Sequence, residues 1–212
     1  MTSKSVKEIE SIGFVLTQLR DSLRGTEDEI DNMSVIPEEE DYGDDANIIF
    51  SNKPAKGLEV KRYGGYLTHP DGTINGDTIS TTSGTNLLKY YHLDNDGEVV
   101  PGLPDDASGR CAVVLNATDY YDSRENAKYE KLLESDSWLA FLSKDGVLYF
   151  KGRKEIEDAS ICECLMHCWH KGDKKGPMRY ERKVLLDIEK GHWIPCKVPR
   201  KFFINMFGFK KV

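Results

Sequence analysis

Apolar residues recur near helical spacing through the first two dozen positions: Val6, Ile9, Ile12, Phe14, Val15, Leu16, Leu19 and Leu23, with Gly25 where a C-terminal cap belongs. That spacing predicts an amphipathic helix over residues 4–24. The polar and acidic stretch 26–45 interrupts the pattern and reads as loop or short helix. Two short β-prone runs follow, 46–50 (ANIIF) and 57–63 (GLEVKRY), joined by the turn-forming Asn52, Lys53, Pro54 and Gly57. Apolar runs joined by a short polar turn predict a β-hairpin.

Residues 66–82 are rich in Gly, Thr, Asp and Pro and read as an extended excursion with room for one irregular hairpin. Ser83–Leu93 reads as a short helix capped by Thr82 or Ser83, and 94–110 as loop. The continuous apolar run 111–117 (CAVVLNA) predicts a strand buried on both faces. Residues 123–134 read as a helix. Trp138–Leu142 and Val147–Phe150 flank Asp145-Gly146, a strong hairpin signal. Glu155–His170 reads as a helix, and 182–188 and 192–197 as strands. Helices and strands in this order predict an α/β fold of the mixed α+β type, a central mixed β-sheet flanked by helices. At 212 residues the chain is expected to form one domain, 1–212.

Composition narrows the class. No run approaches the ~20 apolar residues needed to cross a bilayer, and the opening segment lacks the apolar centre of a secretory signal. A soluble, cytoplasmic protein without membrane contact is expected. Five cysteines (Cys111, Cys162, Cys164, Cys168, Cys196) in no regular framework suit reduced thiols better than a disulfide scaffold.

The net charge of −7 is unevenly spread. Residues 26–45 carry ten carboxylates and no Lys or Arg, whereas 171–212 carry twelve basic residues against four acidic. A basic C-terminal part beside an acidic segment fits a surface for phosphate and another for cations.

The chemistry concentrates in 42–66, YGDDANIIFSNKPAKGLEVKRYGGY. Residues i and i+2 of a strand share a face. Glu59 and Lys61 therefore stand side by side with Val60 turned to the core behind them. An antiparallel partner strand can bring Asp45 within reach of Glu59. Two carboxylates with a backbone carbonyl and water suit Mg²⁺, and Mn²⁺ can substitute. Such an ion polarises a phosphoryl oxygen and acidifies a bound water, while a lysine orients that water or offsets developing charge.

The segment resembles the PD-(D/E)xK nuclease superfamily, and within it the small type II restriction endonucleases. The resemblance rests on Gly43-Asp44-Asp45-Ala46-Asn47 opening one strand and Gly57-Leu58-Glu59-Val60-Lys61 forming the next. The Asp45 to Glu59 separation lies within the range the family tolerates. Asp44, not proline, precedes Asp45, so either aspartate can be the metal ligand. The resemblance implies a restriction-endonuclease-like fold with an N-terminal helix before the site. It implies catalysis by Asp45, Glu59 and Lys61, with Asp45, Glu59 and Asp44 as candidate metal ligands. Double-stranded DNA is the expected substrate and a homodimer the expected assembly, since two-fold symmetric sites call for a two-fold symmetric protein. The catalytic hairpin spans about 44–64, and the basic part 171–212, together with Arg62, Tyr63, Thr82 and Asn86, would contact DNA.

Other clusters carry less. Cys162, Cys164, His167, Cys168 and His170 are dense, but C-x-C and H-C-x-H lack zinc-knuckle spacing, so structural Zn²⁺ is not expected. His69 and His92 read as surface residues. Two further readings stand beside the restriction enzyme: a repair, recombination or phage nuclease acting on branched or damaged DNA, and a non-catalytic binding or virion structural protein.

Overall fold

The computed structural model describes residues 6–37, 44–62, 65–68, 71, 74–80, 90–104, 112–119, 128–168 and 179–202. In chain order, the first elements are α1 (Val6–Leu23), β1 (Ile30–Val35), β2 (Ala46–Phe50), β3 (Lys56–Arg62), β4 (Gly65–Thr68) and β5 (Ile74–Ser80). Then come β6 (Tyr90–Leu93), β7 (Val99–Pro101), β8 (Ala112–Asp119), α2 (Lys128–Ser135), β9 (Trp138–Leu142) and β10 (Gly146–Phe150). The chain continues through α3 (Arg153–Ala159), β11 (Ser160–Cys168), β12 (Arg179–Asp187) and β13 (His192–Pro195), with short 3-10 turns at Ile188–Lys190 and Arg200–Phe202.

The class is mixed α+β. The strands form two mixed sheets, where the sequence suggests one, and the chain packs as two compact, discontinuous units. The first unit comprises Met1–Tyr63, Leu132–Asp158 and Lys190–Asn205. Its six-stranded sheet has the order β1-β2-β3-β9-β10-β13. Neighbours are antiparallel except β3 and β9, which run parallel with Glu59 level with Leu139 and Lys61 with Phe141. Helix α1 lies on one face of this sheet. Its Ile12, Val15, Leu16, Leu19 and Leu23 recur at the spacing of a single stripe and pack with Ile48, Leu58, Val60, Ala140, Leu142 and Val147. Each such side chain contributes about 1.5–3 kcal/mol on burial. Trp138 stacks on Tyr149 with ring centroids 5.7 Å apart and meets Phe50 at 5.2 Å, which fills the same core.

The second unit comprises Gly64–Lys131, Ala159–Glu189 and Met206–Val212. Its seven-stranded sheet has the order β4-β5-β8-β12-β11-β6-β7, with only β5 and β8 parallel among these neighbours. Tyr90, Cys164, Met166 and Leu185 form a small apolar cluster in it.

Four sequence expectations are corrected. The acidic stretch contains β1, an edge strand whose partly buried Met33 and Val35 pack on the core while Asp31 and Asn32 face water. Tyr90–Leu93, read as the end of a helix, is β6, and Val99–Pro101, read as loop, is β7; they pair with each other. The helix expected over 155–170 ends at Ala159, and 160–168 is the interior strand β11, flanked by β12 and β6. Pairing on both edges overrides the helix propensity of its Glu, Leu and Met. The remainder of two expected helices, 83–89 and 123–127, lies outside the described residues, as do 169 and 170. Among the described residues, no helix is long and apolar enough to cross a membrane.

Candidate active site

The hairpin expected from the sequence is β2–β3, antiparallel with Ala46 opposite Leu58, Asn47 opposite Gly57 and Ile48 opposite Lys56. Leu58 and Val60 point to the core under α1, which leaves Gly57, Glu59 and Lys61 on the opposite face. Glu59 is 1% exposed, in the middle of a central strand and level with the fully buried Leu139. Lys61 Nζ donates to Glu59 Oε1, and the lysine retains 23% of its side-chain exposure. One end of the pair is therefore enclosed while the other reaches water.

Asp45 stands at a bend where β2 leaves regular pairing. Its N–H donates to Leu58 O at 2.8 Å, and its Oδ2 accepts the Val60 N–H at 2.8 Å. The carboxylate takes the place of a ladder carbonyl and is fixed beside the peptide that links Glu59 to Val60. Asp45 is 7% exposed.

Asp44 goes elsewhere. Its Oδ2 accepts the Ser137 hydroxyl at 2.9 Å, and Ser137 Oγ shares a 2.7 Å hydrogen bond with Ser135 Oγ. The carboxylate occupies the space that a side chain at position 57 would fill. A Cβ on Gly57 would overlap it and come within 2.6 Å of Ser137 Oγ. Beyond this, Lys56 pairs with Asp136, whose other oxygen accepts the Arg153 N–H at 2.7 Å. The Lys56 ammonium and that amide hold the Asp136 carboxyl below its usual range. Asp136 has φ +52°, rare for a non-glycine residue, at the junction between α2 and β9.

Lys61 thus contacts Glu59 on β3, and the Asp45 carboxylate is held on the Val60 N–H of the same strand. Arg62 ends β3, partly buried, while Tyr63, Thr82 and Asn86 lie outside the described residues. Ser137 and the Val60 amide were not singled out from sequence, and Gly57 was read as a turn and motif residue without the space it leaves for Asp44. A glycine two residues before Glu59 on the same strand face was the available signal for that space.

Among the described residues, no group of three or more His, Cys, Asp or Glu side chains is gathered for a metal ion. A two-carboxylate set still suits Mg²⁺, which keeps several waters and needs few protein ligands. The Lys61 ammonium already lies against Glu59 Oε1, so a metal ion would compete with it for that oxygen.

The Cys/His cluster differs from the helical reading. On β11, Cys162 and Cys164 alternate onto the same face, with Cys164 buried among Tyr90, Met166 and Leu185. Burial, with Cys162 nearby, pushes the Cys164 thiol far above its usual range, which suits a small apolar group better than a thiolate ligand.

No protein-family model matches the chain, and neither a curated protein nor a solved structure matches it.

Proposed function

We propose that the protein is a Mg²⁺-dependent endonuclease that hydrolyses phosphodiester bonds of double-stranded DNA, with Asp45, Glu59 and Lys61 as its catalytic residues. Its narrower form is a homodimeric, site-specific type II restriction enzyme with a restriction-endonuclease-like fold. One observation carries the reading: a carboxylate enclosed on a central strand, with a partly exposed lysine beside it and a second carboxylate fixed at the next peptide. An apolar side chain would suit the position of Glu59 better. Burying a carboxylate there costs several kcal/mol before pairing, so about that much stability is forgone unless the group has work to do.

Mg²⁺ held by Asp45 and Glu59 would supply Lewis acidity to the phosphoryl oxygen and to an attacking water. The chain's own residues set the frame for that. Strand β3, paired on both edges, fixes the Glu59 and Lys61 backbone. The Val60 N–H fixes the orientation of the Asp45 carboxylate. Lys61, with its ammonium at the boundary with solvent, can donate to a phosphate oxygen or orient water while Glu59 takes the cation. Arg62, the next residue, alternates to the other face of β3, so a phosphate it neutralises would lie outside the Glu59–Lys61 face.

Incubation of purified protein with plasmid and linear DNA tests the reading. Cleavage that needs Mg²⁺ or Mn²⁺ and stops with EDTA is expected. Discrete bands would support the restriction form, and smearing or junction-limited cutting the repair, recombination or phage form. The non-catalytic reading has one observation in its favour, that Lys61 already neutralises Glu59 within the chain. It predicts no cutting on any DNA, methylated or not.

A further inference from the structure

We propose that Asp44, Gly57 and Ser137 form a latch that positions Asp45, so that Asp44 is a positioning residue and Asp45 the metal ligand. The inference rests on the nuclease reading above.

Three strands meet at the latch. Ser137 precedes β9, and the parallel register of β3 and β9 places it level with Gly57. Asp44 precedes β2, and Asn47 on β2 is opposite Gly57 from the other side. With no side chain at 57, the Asp44 carboxylate reaches over β3 and accepts the hydroxyl of Ser137, which is fully buried and braced by Ser135. The segment bearing Asp45 is therefore held at more than one point, and the Asp45 carbonyl also accepts the Ile36 N–H at 2.9 Å. Asp44 ties it across β3 to the head of β9, and Asp45 ties itself to Leu58 and Val60. The first tie restrains the bend that aims the second. Loss of the first tie frees the Asp45 carboxylate to swing from the peptide beside Glu59, and misplacement of about 1 Å at such a site costs on the order of 100-fold in rate.

The two aspartates should answer differently to amidation. The Asp44 interaction with Ser137 needs only an acceptor oxygen, which asparagine provides, whereas a Mg²⁺ ligand needs negative charge. Asp44→Asn should keep kcat within about threefold of wild type, and Asp45→Asn should lose more than about 100-fold. Asp44→Ala and Ser137→Ala should lower kcat and raise the Mg²⁺ concentration needed for half-maximal rate, with Ser137→Thr restoring both. Gly57→Ala should reproduce the defect by displacing the carboxylate.

The experiment is single-turnover plasmid cleavage across a Mg²⁺ titration, with Mg²⁺ affinity of the DNA-free protein read by calorimetry, on variants whose circular dichroism and melting match wild type. Ser137→Ala removes only one hydroxyl and keeps the test open if Gly57→Ala does not fold. Asp44→Asn as inactive as Asp45→Asn would overturn the latch, and so would Ser137→Ala with wild-type Mg²⁺ dependence. A wild-type protein that cuts nothing with Mg²⁺ or Mn²⁺ would instead overturn the nuclease reading itself.

Discussion

Replacing Glu59 by leucine should make the protein more stable while abolishing cleavage. Glu59 is 1% exposed and its Oε2 is wholly enclosed, whereas Lys61 keeps 23% of its side-chain exposure. Removing the carboxylate leaves an ammonium that can turn to water at little cost. The leucine gains the apolar contacts of a site level with Leu139. Replacing buried ion pairs with apolar residues of similar volume gains about 1–4 kcal/mol, and the lower half of that range applies because this pair is buried at one end only. The opposite truncation, Lys61→Met, strips the enclosed carboxylate of its ammonium and should cost about 3 kcal/mol. Urea unfolding at neutral pH measures both, with an unchanged slope confirming that the midpoint shift is a stability change. The reasoning fails if Glu59→Leu destabilises by more than about 1 kcal/mol, because the carboxylate would then be a structural element.

Three further predictions concern the scaffold. Burial alone would raise the Asp28 carboxyl, but the 2.7 Å contacts with Lys151 and Lys53 outweigh it and hold the group below its usual value of 3.8. Its stabilisation is therefore complete above that value and lost as pH falls through the lowered one. Asp28→Asn should cost about 2 kcal/mol at pH 7 and nothing at pH values below the lowered one, as read from urea midpoints across pH. Leu19→Ala, at the centre of the α1 stripe, should cost about 3 kcal/mol in the same assay. Gly146 has φ +148°, and a Cβ there would collide with Ile194 O and come within 3.1 Å of Cys196 N. Gly146→Ala should therefore cost more than about 1 kcal/mol and loosen hydrogen-exchange protection along β13.

What was legible in the sequence follows from how local each signal is. Helix α1 shows in its stripe, β2–β3 and β9–β10 in short runs joined by turn residues, and the shared side of Glu59 and Lys61 in strand alternation alone. The parallel junction of β3 with β9 was not legible, because it joins strands separated by the whole run from 63 to 137. Strand β1 was hidden by the carboxylates around it, although Met33 and Val35 alternate as an edge strand should. Strand β11 was taken for helix because its alternation of Ile161, Glu163 and Leu165 with Cys162, Cys164 and Met166 puts apolar residues on both faces. The destination of Asp44 depends on a glycine 13 residues later and a serine 93 residues later, so no local pattern announces it.

The central claim is that Asp45, Glu59 and Lys61 make a metal-dependent site for phosphodiester hydrolysis. Its most direct test is the single-turnover rate of plasmid cleavage in Mg²⁺ by wild type, Glu59→Gln and Lys61→Ala at matched folded concentration. The account predicts cutting by wild type and a loss of more than about 100-fold in each variant. Full activity in either variant, or no cutting by wild type in Mg²⁺ or Mn²⁺ on any DNA offered, would contradict it.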